Sequence, residues 1–521
     1  MRLPFTLLIS TAFAVQFYAA SPLTPNTSVH SNIHNQVTAN DKIDAYTAGT
    51  AYNSSTSLTK IIYAREYGFS PSASASVNTK AAQKISALIN SMSGGVTLVI
   101  EKGSYLVGKE SFAAARKKGY SYLGELLFTF KNCTKPIVIE GNGATIKLSN
   151  GLHFGSFDPV KDIVFNPPSG DFTDYNYAAY PNSIVDARNN SSVTIRNLNF
   201  DGNVQNMRIG GRWNDDGIQL PADALLFLDN NEVLVENVKA RYFGRDGIMI
   251  GNTTTSTSPI KKATILNSVF DGNTRQGLSF IGGNHLYAKN TQFINTGKTI
   301  NNNKKKQVRS SPAAGVDLEA EMGLIRNLVF EDCIIDNNDG VGLLTVGDVA
   351  DIKWIRGKII GATMWSIYGS GPRTVFENAT IVGSPVNLHY AGKTSDPNHT
   401  KFINCLISAD STLSPTKKVY GNYVMDFGGG AGGHFINCTI DYANRGSVYG
   451  GDLIFENCTF KRNMPIGKQY NGYSFLTGTF VGVNKYISTV YPDKRPPDNP
   501  NKKNSKFLGP FLINGFDISG L

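Results

Sequence analysis

Four of the five cysteines in this chain sit in one recurring context: Phe-Glu-Asp-Cys333-Ile, Phe-Ile-Asn-Cys405-Leu, Phe-Ile-Asn-Cys438-Thr and Phe-Glu-Asn-Cys458-Thr. A motif that returns along a chain marks an internal repeat, and repeat length constrains the fold more strongly than local propensity does. Anchored on the Asn or Asp, the unit returns at Asn197, Asn237, Asn267, Asn290, Asp332, Asn378, Asn404, Asn437 and Asn457. Most intervals are about 20 to 30 residues, as in a solenoid. One further unit, Asp351 to Gly371, lacks the Asn.

Within each unit a short alternating strand, a turn rich in Asn, Asp and Gly, and a second strand follow one another, as in ATILNSVFDGNTRQGLSFIGG. Period-two alternation marks half-buried strands, and the turn residues tolerate left-handed backbone. No hairpin signals separate the units, so like strands stack on like in parallel sheets. Parallel crossovers are right-handed, which makes the expected fold all-β: a single-stranded right-handed parallel β-helix of about ten or more coils. The cysteines lie in the packed repeat with neither metal spacing nor a nucleophile context, so they read as buried thiols.

An end coil cannot leave its core open to water. The segment IYAREYGFSPSASASVNTKAAQKISALINSMSGGVTLVIEKGSYLVG supplies a cover, with an amphipathic helix expected over Thr79–Met92 burying Ala82, Ile85, Leu88 and Ile89. With its Gly-Gly, strand and Gly-x-Tyr turn, this stretch resembles the N-terminal cap of pectate-lyase-superfamily (pectin-lyase-like) and tail-spike-type β-helix proteins. The resemblance implies the fold over roughly residues 60–460, and the architecture it names carries lyases, hydrolases, epimerases and non-catalytic fibres.

The N-terminus carries Arg2, an apolar run from Leu3 to Ala14 and small-residue cut points, the pattern of a secretory signal peptide. The expected organisation is a signal peptide over 1–20, a Ser/Thr/Asn-rich leader over 21–59, the β-helix over 60–484 and a tail over 485–521 packed on or extending from it. No later run is long enough to cross a bilayer. The net charge of +10 and pI of about 9.1 favour anionic partners. In a secreted, monomeric protein that means acidic polysaccharide rather than nucleic acid.

The chemistry concentrates in AGVDLEAE, residues 314–321, which places Asp317, Glu319 and Glu321 at alternate positions. Aligning coils on Gly247, Gly277, Gly315 and Gly340 points Ile248, Leu278, Val316 and Val341 inward. Met249, Ser279, Asp317 and Gly342 then form an outward row, with Arg245 and Arg275 stacked beside it. The long insertion INTGKTINNNKKKQVRSSPAAG is expected to overhang this face, bringing Lys298, Lys304, Lys305, Lys306 and Arg309 toward an anionic chain.

Two reactions fit these residues. A β-elimination lyase neutralises a uronate carboxylate with Arg245 and Arg275, or with Ca²⁺ held by Asp317, Glu319 and Glu321, while Lys298, His285 or an Arg removes the α-proton. An inverting glycosidase uses one carboxylic acid and one carboxylate about 6.5–9.5 Å apart, and alternate strand positions such as Asp317 and Glu319 lie roughly 7 Å apart. GRDGIMI is similar to the Asn-Thr-Asp strand of polygalacturonases through Asp246. TRQGLSF, however, lacks that family's paired aspartates, and no Gly-His-Gly or Arg-x-Lys follows. An Arg-Gln-Gly strand followed by GVDLEAE also resembles many bacterial β-helix proteins with Gly-Ile-Asp-Ile-Glu, which implies one site built from Arg275, Asp317 and Glu319. Arg245, Asp246, Glu321, Lys298 and His285 are then expected substrate contacts. The expected activity is a polysaccharide lyase, with an inverting glycoside hydrolase and a non-catalytic glycan-binding adhesin as the alternatives.

Overall fold

The computed structural model describes residues 60–520 apart from 117–118, 169, 389–394, 428–431, 450–451, 466–475, 492–499 and 501–503. The expected signal peptide and leader, and most of the Pro- and Lys-rich part of the tail, lie outside the described residues. The chain winds into a right-handed parallel β-helix whose coils have three strands, one more than the repeat suggests. In one coil these are Glu232–Glu236, Lys239–Arg241 and Asp246–Gly251.

The extra corner falls at the repeat's own Asn. Each of the nine anchor residues adopts left-handed backbone, with φ between 49° and 56°. Asn and Asp reach this region at lower cost than other side-chain-bearing residues, because a short polar group can bond locally. The side chains also bond from coil to coil: the Asn237 amide donates to Asn197 at 2.7 Å, and that of Asn290 to Asn267 at 3.2 Å. In the unit without the Asn, Arg356 takes the same turn with φ 53° and donates to Asp332 at 3.0 Å.

Around this corner the core is a set of columns. Phe376, Phe402, Phe435 and Phe455 stack with centroids 4.8, 4.8 and 5.2 Å apart. Beside them the thiols of Cys405, Cys438 and Cys458 donate to carbonyls of the preceding coil at 3.3–3.4 Å. All five cysteines are free and buried, as small core residues.

Helix α1 (Ala75–Ser91) covers the first coils and buries Ala82, Ile85 and Ile89, while Leu88 stays half-buried. It begins four residues before the expected start, where Ser74 caps the Val77 amide. At the other end, Asn484–Ser488, Lys506–Leu508 and Phe511–Ile513 continue the parallel pairing. The coils therefore run past the expected boundary at 484, because Phe480, Tyr486 and Phe511 keep supplying the inward apolar column.

Candidate functional site

The third side of the solenoid is, among the described residues, an 11-stranded parallel sheet. Its central strands are β1 (Leu225–Leu228), β2 (Asp246–Gly251), β3 (Gln276–Gly282), β4 (Ala314–Glu319), β5 (Val341–Val346) and β6 (Trp365–Tyr368). Register places Ile248, Leu278, Val316 and Leu343 in one inward column. Outward, Leu226, Met249, Ser279, Asp317, Leu344 and Tyr368 follow one another. The glycine matching Gly315 is thus Gly342 and not Gly340. Arg241, Asp271 and Asp336 end equivalent short strands, and the corner from each to its glycine keeps a constant length that only Gly342 satisfies. These glycines are steric necessities: a Cβ on Gly277 would stand 2.6 Å from the Gly315 carbonyl oxygen.

At this corner a column of buried ion pairs runs from coil to coil. Asp223, fully buried, accepts from Arg245 Nε at 2.7 Å and Nη2 at 2.6 Å. Asp246, equally buried, accepts from Arg275 Nε at 2.9 Å and Nη2 at 2.5 Å. Burial opposes the charge of Arg275, but the Asp246 carboxylate outweighs it and holds the guanidinium firmly protonated. Both arginines expected to meet substrate are therefore occupied by carboxylates, and Asp246 faces Arg275 and not solvent.

Asp317 lies within electrostatic reach of Arg275, three residues along β4 from Ala314, the register partner of Gln276. It was expected to project into an open groove, yet it is 1% exposed. Its Oδ2 accepts from the Gln276 amide, and Oδ1 has no hydrogen-bond partner among the described residues. Burial, then the nearby Glu319 charge, push its pKa well above the ordinary carboxylate range, against the pull of Arg275. Strand β4 ends at Glu319, which is half-buried, and Glu321 lies exposed in the following turn. Burial and then Glu321 raise the Glu319 pKa; burial raises that of Glu321. The three acids and Arg275 thus share one electrostatic neighbourhood.

The long insertion does not hang free. It forms a small hairpin, Ile300–Asn301 with Lys306–Gln307, and folds back on earlier coils. Asn301 donates to the carbonyls of Val204 and Met207 at 2.8 and 2.9 Å, and Ser311 to Asp216 at 2.7 Å. This contact helps explain why Asp215 lies within electrostatic reach of Glu319. Lys298 pairs with Asp339 at 2.6 Å, and Arg309 with Asp339 at 3.2 Å. Lys304, Lys305 and Lys306 are all exposed, the Lys304 ammonium donating to the Gly210 carbonyl at 3.4 Å. His285 stands at the corner after β3, the far end of the strand from Arg275, where burial lowers its pKa. Trp213 is buried against Phe172 and Tyr175. Among the described residues no three His, Cys, Asp or Glu side chains are grouped so as to hold a metal ion, so the arrangement of Asp317, Glu319 and Glu321 does not form the expected Ca²⁺ cage.

Sequence reading missed Asp223 and Gln276. Aligning DALLF with DGIMI would have found the former, since Leu225 pairs with Ile248 and Asp223 therefore stands over Asp246.

No protein-family model matches the chain, and no curated protein does. Solved structures do. The mannuronan C-5 epimerase AlgE6 A-module of Azotobacter vinelandii is 13% identical, over 87% of this chain and 93% of its own, with a TM-score of 0.40. The Agl-KA catalytic domain is also 13% identical, over 87% and 68%, at 0.44. PfbA, a surface adhesin of Streptococcus pneumoniae, is 12% identical over 88% and 91%, at 0.37. The likeness is one of fold. No described helix is long and apolar enough to cross a membrane.

Proposed function

We propose that this chain is a secreted, polysaccharide-active β-helix protein that cleaves glycosidic bonds by hydrolysis at the Asp317–Glu319–Glu321 cluster. The carrying observation is a pair of carboxyl groups at the end of one strand, Glu319 half-buried and Glu321 more exposed, both raised above their ordinary pKa by burial, with the Glu321 charge raising Glu319 further. Hydrolysis of an acetal needs one group that still holds a proton for the leaving oxygen and another that activates water or attacks carbon. A carboxylic acid stays protonated near neutral pH when burial and a like charge disfavour its anion.

In this reading Glu319 donates the proton and Glu321 accepts one from water. Asp317, enclosed beneath them, stays neutral and spares Glu319 a third adjacent charge. The expected pair, Asp317 with Glu319, thereby moves one step along the chain, because Asp317 does not reach solvent. A lyase would need free cationic groups to stabilise the uronate dianion. Arg245 and Arg275 already hold Asp223 and Asp246, which favours hydrolysis over elimination.

The test is incubation with a panel of acidic and neutral polysaccharides, following reducing ends and the absorbance of unsaturated uronates together. Hydrolysis predicts reducing ends without the chromophore, whereas the chromophore would restore the lyase reading. Retention of a polymer with neither signal would leave a binding protein or adhesin.

A further inference from the structure

Two histidines meet on the long parallel sheet, not on the 11-stranded one that carries the carboxyl cluster. His399 immediately precedes strand β7 (Thr400–Ile403), and His434 lies within β8 (Gly432–Ile436) on the next coil. Register pairs Thr400 with Gly433 and Lys401 with His434, so the two rings approach each other on a diagonal. Phe435 takes the inward position, which turns His434 out of the core. The ring centroids are 5.6 Å apart and the planes inclined by 39°.

Each ring has one nitrogen committed. His399 Nδ1 lies 2.5 Å from the Asp396 carbonyl oxygen, which can only accept, so Nδ1 carries the hydrogen and Nε2 is bare in the neutral ring. His399 is 7% exposed, and its Nε2 has no hydrogen-bond partner among the described residues. His434 Nε2 donates to Glu456 Oε2 at 3.2 Å, in the adjoining strand β9 (Asp452–Glu456), which leaves Nδ1 bare. Burial lowers the His434 pKa against the pull of Glu456, and the Lys401 charge lowers it further, so this ring is neutral at neutral pH. A buried lone pair without a donor is costly, and an electropositive group beside it removes that cost.

One nitrogen committed and one bare is how metal-ligating histidines are held: the other N–H goes to a carbonyl or carboxylate, which orients the ring and raises its basicity. The spacing fits as well. An ion about 2.0–2.1 Å from each nitrogen stands roughly 3.2 Å from each ring centre, so tetrahedral ligation puts the two centres about 5.2 Å apart, close to the separation observed. We propose that His399 and His434 bind a divalent transition-metal ion of the zinc, nickel or copper class through Nε2 and Nδ1, with water in the remaining positions. Two imidazoles suffice, without a third His, Cys, Asp or Glu ligand, and imidazole selects these ions over Ca²⁺ and Mg²⁺. Asp396 and Glu456 are the positioning residues. Bound there, the ion ties the turn before β7 to the following coil.

Of the seven histidines, His30 and His34, which lie outside the described residues, are spaced so that they compete for the same ions. The full-length His30→Ala/His34→Ala protein is therefore the reference, and His399→Gln and His434→Gln are made in it. Each is titrated calorimetrically with zinc, nickel and calcium chlorides. The reference should bind one equivalent of zinc or nickel and no calcium, and each Gln variant should bind at least tenfold more weakly. Electron paramagnetic resonance of the copper-loaded reference counts its nitrogen donors with the pair intact, so this readout stands even where a variant fails to fold, and two are expected. No binding of zinc, nickel or copper by the reference overturns the site, as does equal affinity in a folded His434→Gln variant. Calcium bound as tightly as zinc, or a copper spectrum with fewer than two nitrogen donors, overturns it too.

Discussion

Replacing Asp246 by Asn tests the buried charge column where it is most sensitive. The substitution keeps shape but removes the charge that takes two bonds from Arg275, at 2.9 and 2.5 Å, in a place with no solvent access. Breaking one side of a buried ion pair costs roughly 3–5 kcal/mol, because the remaining charge is left uncompensated. Here a second carboxyl waits beside it. Asp317 is close enough to Arg275 for each to affect the other's ionisation. In the variant the unpaired guanidinium favours ionised Asp317, so its pKa falls. The loss should therefore be largest at acid pH, where Asp317 still carries its proton, and should shrink as pH rises through the Asp317 pKa and an Arg275–Asp317 pair replaces the lost one. Urea unfolding followed by circular dichroism across this range measures it. In an Asp317→Asn background no replacement pair can form, and the loss should stay near 3–5 kcal/mol at every pH. A loss below about 1 kcal/mol, or one equally independent of pH in both backgrounds, would refute the reasoning.

Other outcomes follow from the same geometry. Asp317 has a raised folded-state pKa, so between its unfolded value near 3.9 and that raised value the folded state holds a proton the unfolded chain has lost. Stability should fall through this window by up to about 1.4 kcal/mol per pH unit, and Asp317→Asn should flatten the slope in pH-dependent urea titrations. Gly277→Ala should destabilise by about 1–3 kcal/mol, since its methyl would press on backbone rather than on a movable side chain. Phe402→Ala, emptying a place between Phe376 and Phe435, should cost about 3–5 kcal/mol by the same assay. The five cysteines should resist a thiol reagent in the native protein and all react after denaturation.

The repeat made the fold legible because each anchor residue has a backbone task that few residues perform well: left-handed turns at Asn267, Asn404 and Asn437 write themselves into sequence. The third strand per coil was hidden by the same residue, since ATILNSVFD alternates as if it were one strand bent nowhere. Which way Asp317 points was legible from alternation. Its enclosure was not, because that depends on neighbours in other coils. The pairing of Arg275 escaped notice for a related reason: its partner, Asp246, reads locally as the next residue after Arg245, and only coil-to-coil register reveals the bond.

Hydrolysis at the carboxyl cluster is decided by cleaving a susceptible polysaccharide in oxygen-18 water and analysing the products by mass spectrometry. Hydrolysis places one heavy oxygen at each new reducing end, with incorporation abolished in Glu319→Gln. Products that are unsaturated and free of the label, or a Glu319→Gln enzyme that turns over like wild type, would contradict it.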